Sequence, residues 1–122
     1  MISRKNRFHG HASLRYVYSQ GQVVRGPMIS LKFTQNPKRS SYRLAVVISK
    51  KVLKSAVDRN RLRRQIYEQV RLLEPAITEP YDLVVTVFNE QIMNLGQGEL
   101  ATMVAAQLRQ AGVLQEPKVT KS

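Results

Sequence analysis

The chain has no cysteine, which excludes disulfides, thiolate metal sites and cysteine nucleophiles. It is also poor in acids. Eight Asp and Glu stand against twenty Lys and Arg, and Asp58, Glu68, Glu74, Glu79 and Asp82 form no paired-acid motif. A metal-dependent nuclease needs clustered carboxylates, so neither a protein metal site nor a protein catalytic residue is expected. There is no nucleophile with an obvious base, no Gly-rich phosphate loop and no zinc-type spacing. Long apolar runs are missing too. Nothing reaches the ~18 residues of a membrane span, and residues 1–7 lack the apolar core of a signal peptide. A cytoplasmic binding protein is the expectation.

What is present is positive charge. The 122 residues are 43% hydrophobic, enough for the core of one domain spanning 1–122, and carry a formal net charge of +12. The charge is lopsided: residues 1–71 hold 17 basic and 2 acidic side chains, residues 72–122 only 3 basic and 6 acidic. Such a field attracts a polyanion, and the binding should weaken with salt. Nucleic acid comes first and an anionic membrane surface second. The membrane reading wants a strongly amphipathic helix, and the main basic helix has only a modest apolar stripe.

Periodicity organises the rest. Residues 1–10 read as a basic arm, and the two histidines, His9 and His11, as part of a solvated segment rather than an acid–base pair. His11 to Gln20 reads as a helix with Leu14, Val17 and Tyr18 on one face and Gly21 as its stop. Met28 to Thr34 alternates like a half-buried strand, and Arg43 to Ser49 and Asp82 to Phe88 are apolar runs typical of buried strands. A helix should start near Ser55, whose spacing to Asp58 matches a capping pattern, and run to about Leu73. The last helix spans roughly Gly98 to Ala111, ended by Gly112, with residues 113–122 a flexible tail. The order αββαβα gives a small sheet packed by helices, an α+β or α/β sandwich. Two parallel strands joined by the helix at 55–73 would by the general rule cross over right-handed.

The densest chemistry is Arg59-Asn60-Arg61-Leu62-Arg63-Arg64. At 100° per residue, Leu62, Ile66, Val70 and Leu73 form the stripe facing the sheet. Asn60, Arg63, Arg64, Tyr67 and Arg71 share a neighbouring face, with Arg61 further round and Arg59 near the apolar stripe. Guanidinium forks match phosphate oxygens and stack on bases. A charge run is usually a solvated face, but only Asp58 and Glu68 are at hand to neutralise five arginines. Ser49-Lys50-Lys51, just ahead of this helix, extends the same surface. Tyr18 fits either the core or an exposed platform for a nucleobase.

The run Arg43-Leu44-Ala45-Val46-Val47-Ile48-Ser49-Lys50-Lys51, followed by Ala56-Val57-Asp58-Arg59-Asn60-Arg61-Leu62-Arg63-Arg64, resembles the protein subunit of bacterial ribonuclease P. That family carries a strand ending in Ser/Ala-Lys-Lys and then an Arg-Asn-x-x-Lys/Arg-Arg helix. The resemblance continues through Glu68 and Arg71 and reaches back to Arg7-Phe8, Val17-Tyr18 and Gly21. It implies an accessory subunit of an endoribonuclease that matures the 5′ end of tRNA, with catalysis carried by the RNA subunit. The implied partners are the ribonuclease P RNA and precursor tRNA, with no membrane and no DNA. Magnesium would be held mainly by RNA and substrate, and not tightly by the protein. By position, Ser49, Lys50, Lys51, Arg59, Asn60, Arg61, Arg63, Arg64 and Arg71 would bind RNA. Leu14, Tyr18, Lys32 and Tyr67 would bind the single-stranded 5′ leader. The resemblance also implies a left-handed β-α-β crossover in place of the right-handed default. Two positions depart from the family: Leu14 stands where many relatives have an aromatic, and Tyr67 where many have Arg. The same charge and fold would serve a ribosomal or general structural RNA-binding protein. The pairing of Ser-Lys-Lys with the Arg-Asn helix separates the two.

Overall fold

Strand alternation decides which side chains meet, and here it sorts them onto two sheet faces. The computed structural model describes residues 11–114, with side chains from residue 16 onward. The arm at 1–10, the tail at 115–122 and the Leu14 side chain lie outside the described residues. The elements are α1 (His11–Gln20), β1 (Gln22–Arg25), β2 (Ile29–Gln35), β3 (Arg43–Ile48), α2 (Ala56–Leu72), β4 (Tyr81–Val87) and α3 (Gln97–Gln110). Short 3-10 turns at Glu74–Ala76 and Glu90–Asn94 flank β4. The expected elements are all present, within about a residue at their ends. One strand was not expected. β1 is four residues long and mostly exposed, so no alternation marks it.

The four strands form one mixed sheet in the order β1-β2-β4-β3. β1 and β4 both pair antiparallel with β2, while β3 pairs parallel with β4 through the α2 connection. Ile29, Leu31, Phe33, Leu44, Val46, Ile48, Leu83, Val85 and Val87 turn to one face. There they meet Leu62, Ile66 and Val70 of α2 and Leu100, Val104 and Leu108 of α3. The opposite face is covered more thinly. Val17 of α1 is fully buried there on Ala45 and Val84, with Val47 beside them.

The helix ends follow from local chemistry. Ser55 Oγ accepts from the Asp58 N–H at 3.2 Å and caps α2. α3 closes at Gly112, whose φ of +79° is a left-handed conformation that glycine adopts without cost. The Gly112 and Val113 amides donate back to Arg109 and Leu108 at 3.0 Å. This reversal returns Val113 and Leu114 to the main core. The expected tail therefore begins too early at 113, because the turn after a helix carries its next apolar residues inward. Gly21 is required for a different reason: a Cβ there would lie 2.5 Å from the Val17 carbonyl.

Candidate nucleic-acid interface

β3 is an edge strand, and the chain leaves it through a tight turn into α2. The Val52 and Leu53 amides both donate to the Ser49 carbonyl at 3.1 Å, which buries Leu53 and leaves Ser49, Lys50, Lys51 and Lys54 exposed. Arg59 ties this turn to the helix. Its guanidinium donates to the carbonyls of Leu53 at 2.8 Å and Lys54 at 2.9 Å. Arg63 reaches back to the strand edge, donating from Nε to the Val46 carbonyl at 3.3 Å and from a terminal nitrogen to Asn60 Oδ1 at 2.8 Å. A guanidinium only donates, so Asn60 must turn its oxygen inward and present its two amide hydrogens to solvent.

The row of arginines read from the sequence thus divides by role. Arg59 and Arg63 spend hydrogen bonds on the protein's own backbone. Arg71 is held by Glu68, at 3.0 and 2.5 Å. This bidentate pair draws the Glu68 carboxyl down to about 2 and raises Arg71. Of the five arginines near it, Glu68 therefore serves Arg71. The i,i+3 geometry toward Arg71 presents a matched fork, and Arg64 points out. Among the described residues Arg61 and Arg64 have no hydrogen-bond or ion-pair partner, nor do Lys50, Lys51 and Lys54. Lys54 was not singled out from the sequence. Its place in the turn between the lysine pair and Ser55 was the available signal.

The second group lies on the thinly covered sheet face. Strand register lines up Val23, Lys32, Val84 and Ala45 as one cross-strand row. Val17 covers the last two, so Lys32 and Val23 are left beside α1. Tyr18, next along the helix, meets Lys32. The Lys32 ammonium sits 5.0 Å from the centre of the Tyr18 ring and donates to the Tyr18 carbonyl at 2.9 Å. Tyr18 is 41% exposed, so it is a surface and not a core residue, and the buried side of α1 is carried by Val17. Tyr67 does not join it. It packs from α2 against the core on the other side of the sheet, because its helix covers the face opposite α1.

The next row holds the sheet ends together. Asp82, 2% exposed, accepts from Arg43 Nε and a terminal nitrogen at 2.9 Å each and from Asn36 Nδ2 at 3.0 Å. On the α2 side, the Tyr42 hydroxyl donates to Glu74, and burial together with that bond pushes its pKa up. The described carboxylates with strong partners are thus committed to Arg43, Arg71 and Tyr42. No group of three or more His, Asp or Glu among the described residues could cage a metal. No described helix is long and apolar enough to cross a membrane.

Five cations without a described partner along the β3–α2 turn and α2, with an aromatic and cationic surface beside α1 on the other face of the sheet, define an α+β domain built to face a polyanion. The family model for ribonuclease P matches residues 2–112. The ribonuclease P protein component of Chloroflexus aurantiacus is 33% identical over 116 residues, covering 95% of this chain and 84% of the relative. That of Pseudanabaena is 36% identical over 87 residues, covering 71% and 75%. Two solved structures share the fold: the ribonuclease P protein of Staphylococcus aureus, with a TM-score of 0.82, 22% identity and coverage of 90% and 98%, and that of Thermotoga maritima, with 0.77, 20%, and 85% and 96%. The chain belongs to the ribonuclease P protein component family, and is a protein subunit of that endoribonuclease. Its partner is a ribonuclease P RNA, and the ribosomal alternative is set aside.

Proposed function

We propose that this chain assembles with the ribonuclease P RNA through the β3–α2 corner and holds the 5′ leader of precursor tRNA against the α1 side of the sheet. The observation that carries the reading is the set of free cations at Lys50, Lys51, Lys54, Arg61 and Arg64, joined by the outward amide of Asn60. The RNA would carry out the cleavage, using magnesium held mainly by RNA and precursor phosphates. The protein would screen phosphate repulsion and order the leader, in the cytoplasm. The test is reconstitution at low magnesium with protein alone, a bacterial ribonuclease P RNA alone, and both. Cleavage at the mature 5′ end only with both is the expected result, and cleavage by protein alone overturns it.

Two variants extend this test. Tyr18→Ala should weaken precursor binding by about 1–3 kcal/mol while leaving mature tRNA unchanged, because only the precursor offers an unpaired base to stack. Competition binding with both ligands reads the difference, and equal weakening removes Tyr18 from the leader site. Glu68→Gln should release the Arg71 fork. Affinity for the RNA subunit then rises, and the log K against log salt slope steepens by about one phosphate contact. Lowering the pH does not substitute for the mutation. A depressed carboxyl pKa keeps the pair intact above and through the usual carboxylate range, so it is lost only as pH falls toward about 2.

A further inference from the structure

Burial sorts the arginines at the start of α2. Arg61 and Arg64 are exposed, whereas Arg59 is half-buried. Its guanidinium turns back over the segment that leads into the helix. One terminal nitrogen donates both of its hydrogens, to the Leu53 carbonyl at 2.8 Å and to the Lys54 carbonyl at 2.9 Å. Leu53 and Lys54 belong to neither strand nor helix, so no ladder supplies those carbonyls with a donor. The other half of the connection is held without Arg59. There the Val52 and Leu53 amides donate to the Ser49 carbonyl at 3.1 Å, and the Leu53 side chain is buried in the main core.

The two bonds determine where the lysines point. The Leu53 carbonyl lies in the peptide plane before Lys54, and the Lys54 carbonyl in the plane after it. Holding both planes fixes both soft dihedrals of Lys54, and with them the direction of its side chain. Lys50, Lys51 and Lys54 are all exposed on this short connection, and among the described residues none has a hydrogen-bond or ion-pair partner. Ammonium groups set so close repel one another, so a connection without its tie would spread them. A phosphate, for its part, finds little at the nitrogen that makes the tie. Both hydrogens there are engaged, and two carbonyl oxygens beside it repel an anion.

We infer that Arg59 is a positioning residue, which acts on RNA by holding Lys50, Lys51 and Lys54 in one arrangement and not through a phosphate contact of its own. The inference rests on the reading of the β3–α2 corner as the RNA-binding surface and replaces the role that the family resemblance implied for Arg59. The groups that meet RNA phosphates on this connection are the three ammonium groups. Held in place beforehand, they lose less freedom on binding than lysines on a loose loop.

The test uses the full-length chain, free and assembled with a bacterial ribonuclease P RNA. Arg59→Met keeps an apolar stem and removes the donors. In the free protein, hydrogen exchange at the Val52 and Leu53 amides should speed up by about two- to tenfold, the worth of one hydrogen bond, while Val85 in the central strand keeps its protection. The deciding measurement is a cycle with a triple variant carrying Lys50→Ala, Lys51→Ala and Lys54→Ala. Arg59→Met should weaken RNA binding in the wild-type background and at least about threefold less in the triple variant, where no lysine is left to position. Arg61→Met, which removes an exposed cation, is the control and should cost the same in both backgrounds. Thermal melts check the fold, and Arg59→Gln repeats the cycle if Arg59→Met does not fold. Equal Arg59→Met penalties in the two backgrounds, or unchanged exchange at Val52 and Leu53, overturn the positioning role and leave the corner as the RNA surface. A triple variant with wild-type RNA affinity overturns the corner itself.

Discussion

Asp82→Ala is expected to destabilise the domain by about 3–5 kcal/mol, the typical loss when one partner of a buried pair is removed. That is a large fraction of the ~5–15 kcal/mol that holds a small domain folded. The cause is what remains behind. The Arg43 side chain is only 13% exposed and would lose both of its 2.9 Å bonds, leaving a cation in a site that water scarcely reaches. Asn36 would lose its acceptor as well. Replacing both charged partners with apolar residues, Arg43→Met with Asp82→Leu, should recover most of the loss, because the penalty of an uncompensated buried charge is then gone. Denaturant melts of the single and double variants make the comparison. A single variant within about 1 kcal/mol of wild type would show that Arg43 relaxes to solvent.

Leu62→Ala and Arg64→Ala should separate folding from RNA binding on one helix. Leu62 is 1% exposed within the main core, and truncating it should cost about 2–5 kcal/mol through lost transfer energy and a residual cavity. Arg64 is exposed and has no described partner, so Arg64→Ala should leave the melting transition nearly unchanged. Its effect should fall on RNA instead. Removing one phosphate contact lowers the magnitude of the log K against log salt slope by about one. Thermal melts alongside affinities across a salt series give both answers. An Arg64→Ala protein that unfolds, or that keeps wild-type affinity and slope, would mean that α2 presents a different face to RNA.

Most of the fold is legible in the sequence, because the signals are local. The 2-residue alternation of β2, the apolar runs of β3 and β4 and the Leu62-Ile66-Val70 stripe each state their own burial. Ser55 and Gly112 state their own caps. β1 escaped notice because a four-residue edge strand with one inward side chain carries almost no pattern. Val113 and Leu114 read as tail in the sequence because their burial depends on the direction in which Gly112 turns the chain. The interface divides in the same way. Composition already located the positive corner, since charge sums over residues wherever the side chains point.

What composition cannot supply is the partner of each group. By itself the sequence determined every element but β1, the core stripe, the excess of positive charge and the family, all of which depend on residue type and spacing along the chain. Only the tertiary structure decided which cations are free. It turned Arg59 and Arg63 onto the backbone, gave Arg71 to Glu68 and left Arg61, Arg64 and the three lysines outward. It also moved Tyr18 out of the core, sent Tyr67 to the far side of the sheet, and brought Arg25 over Phe88 from a strand more than sixty positions away. Hydrogen bonds and ring contacts act over a few ångströms, so they are settled by strand order and register, which no single segment encodes.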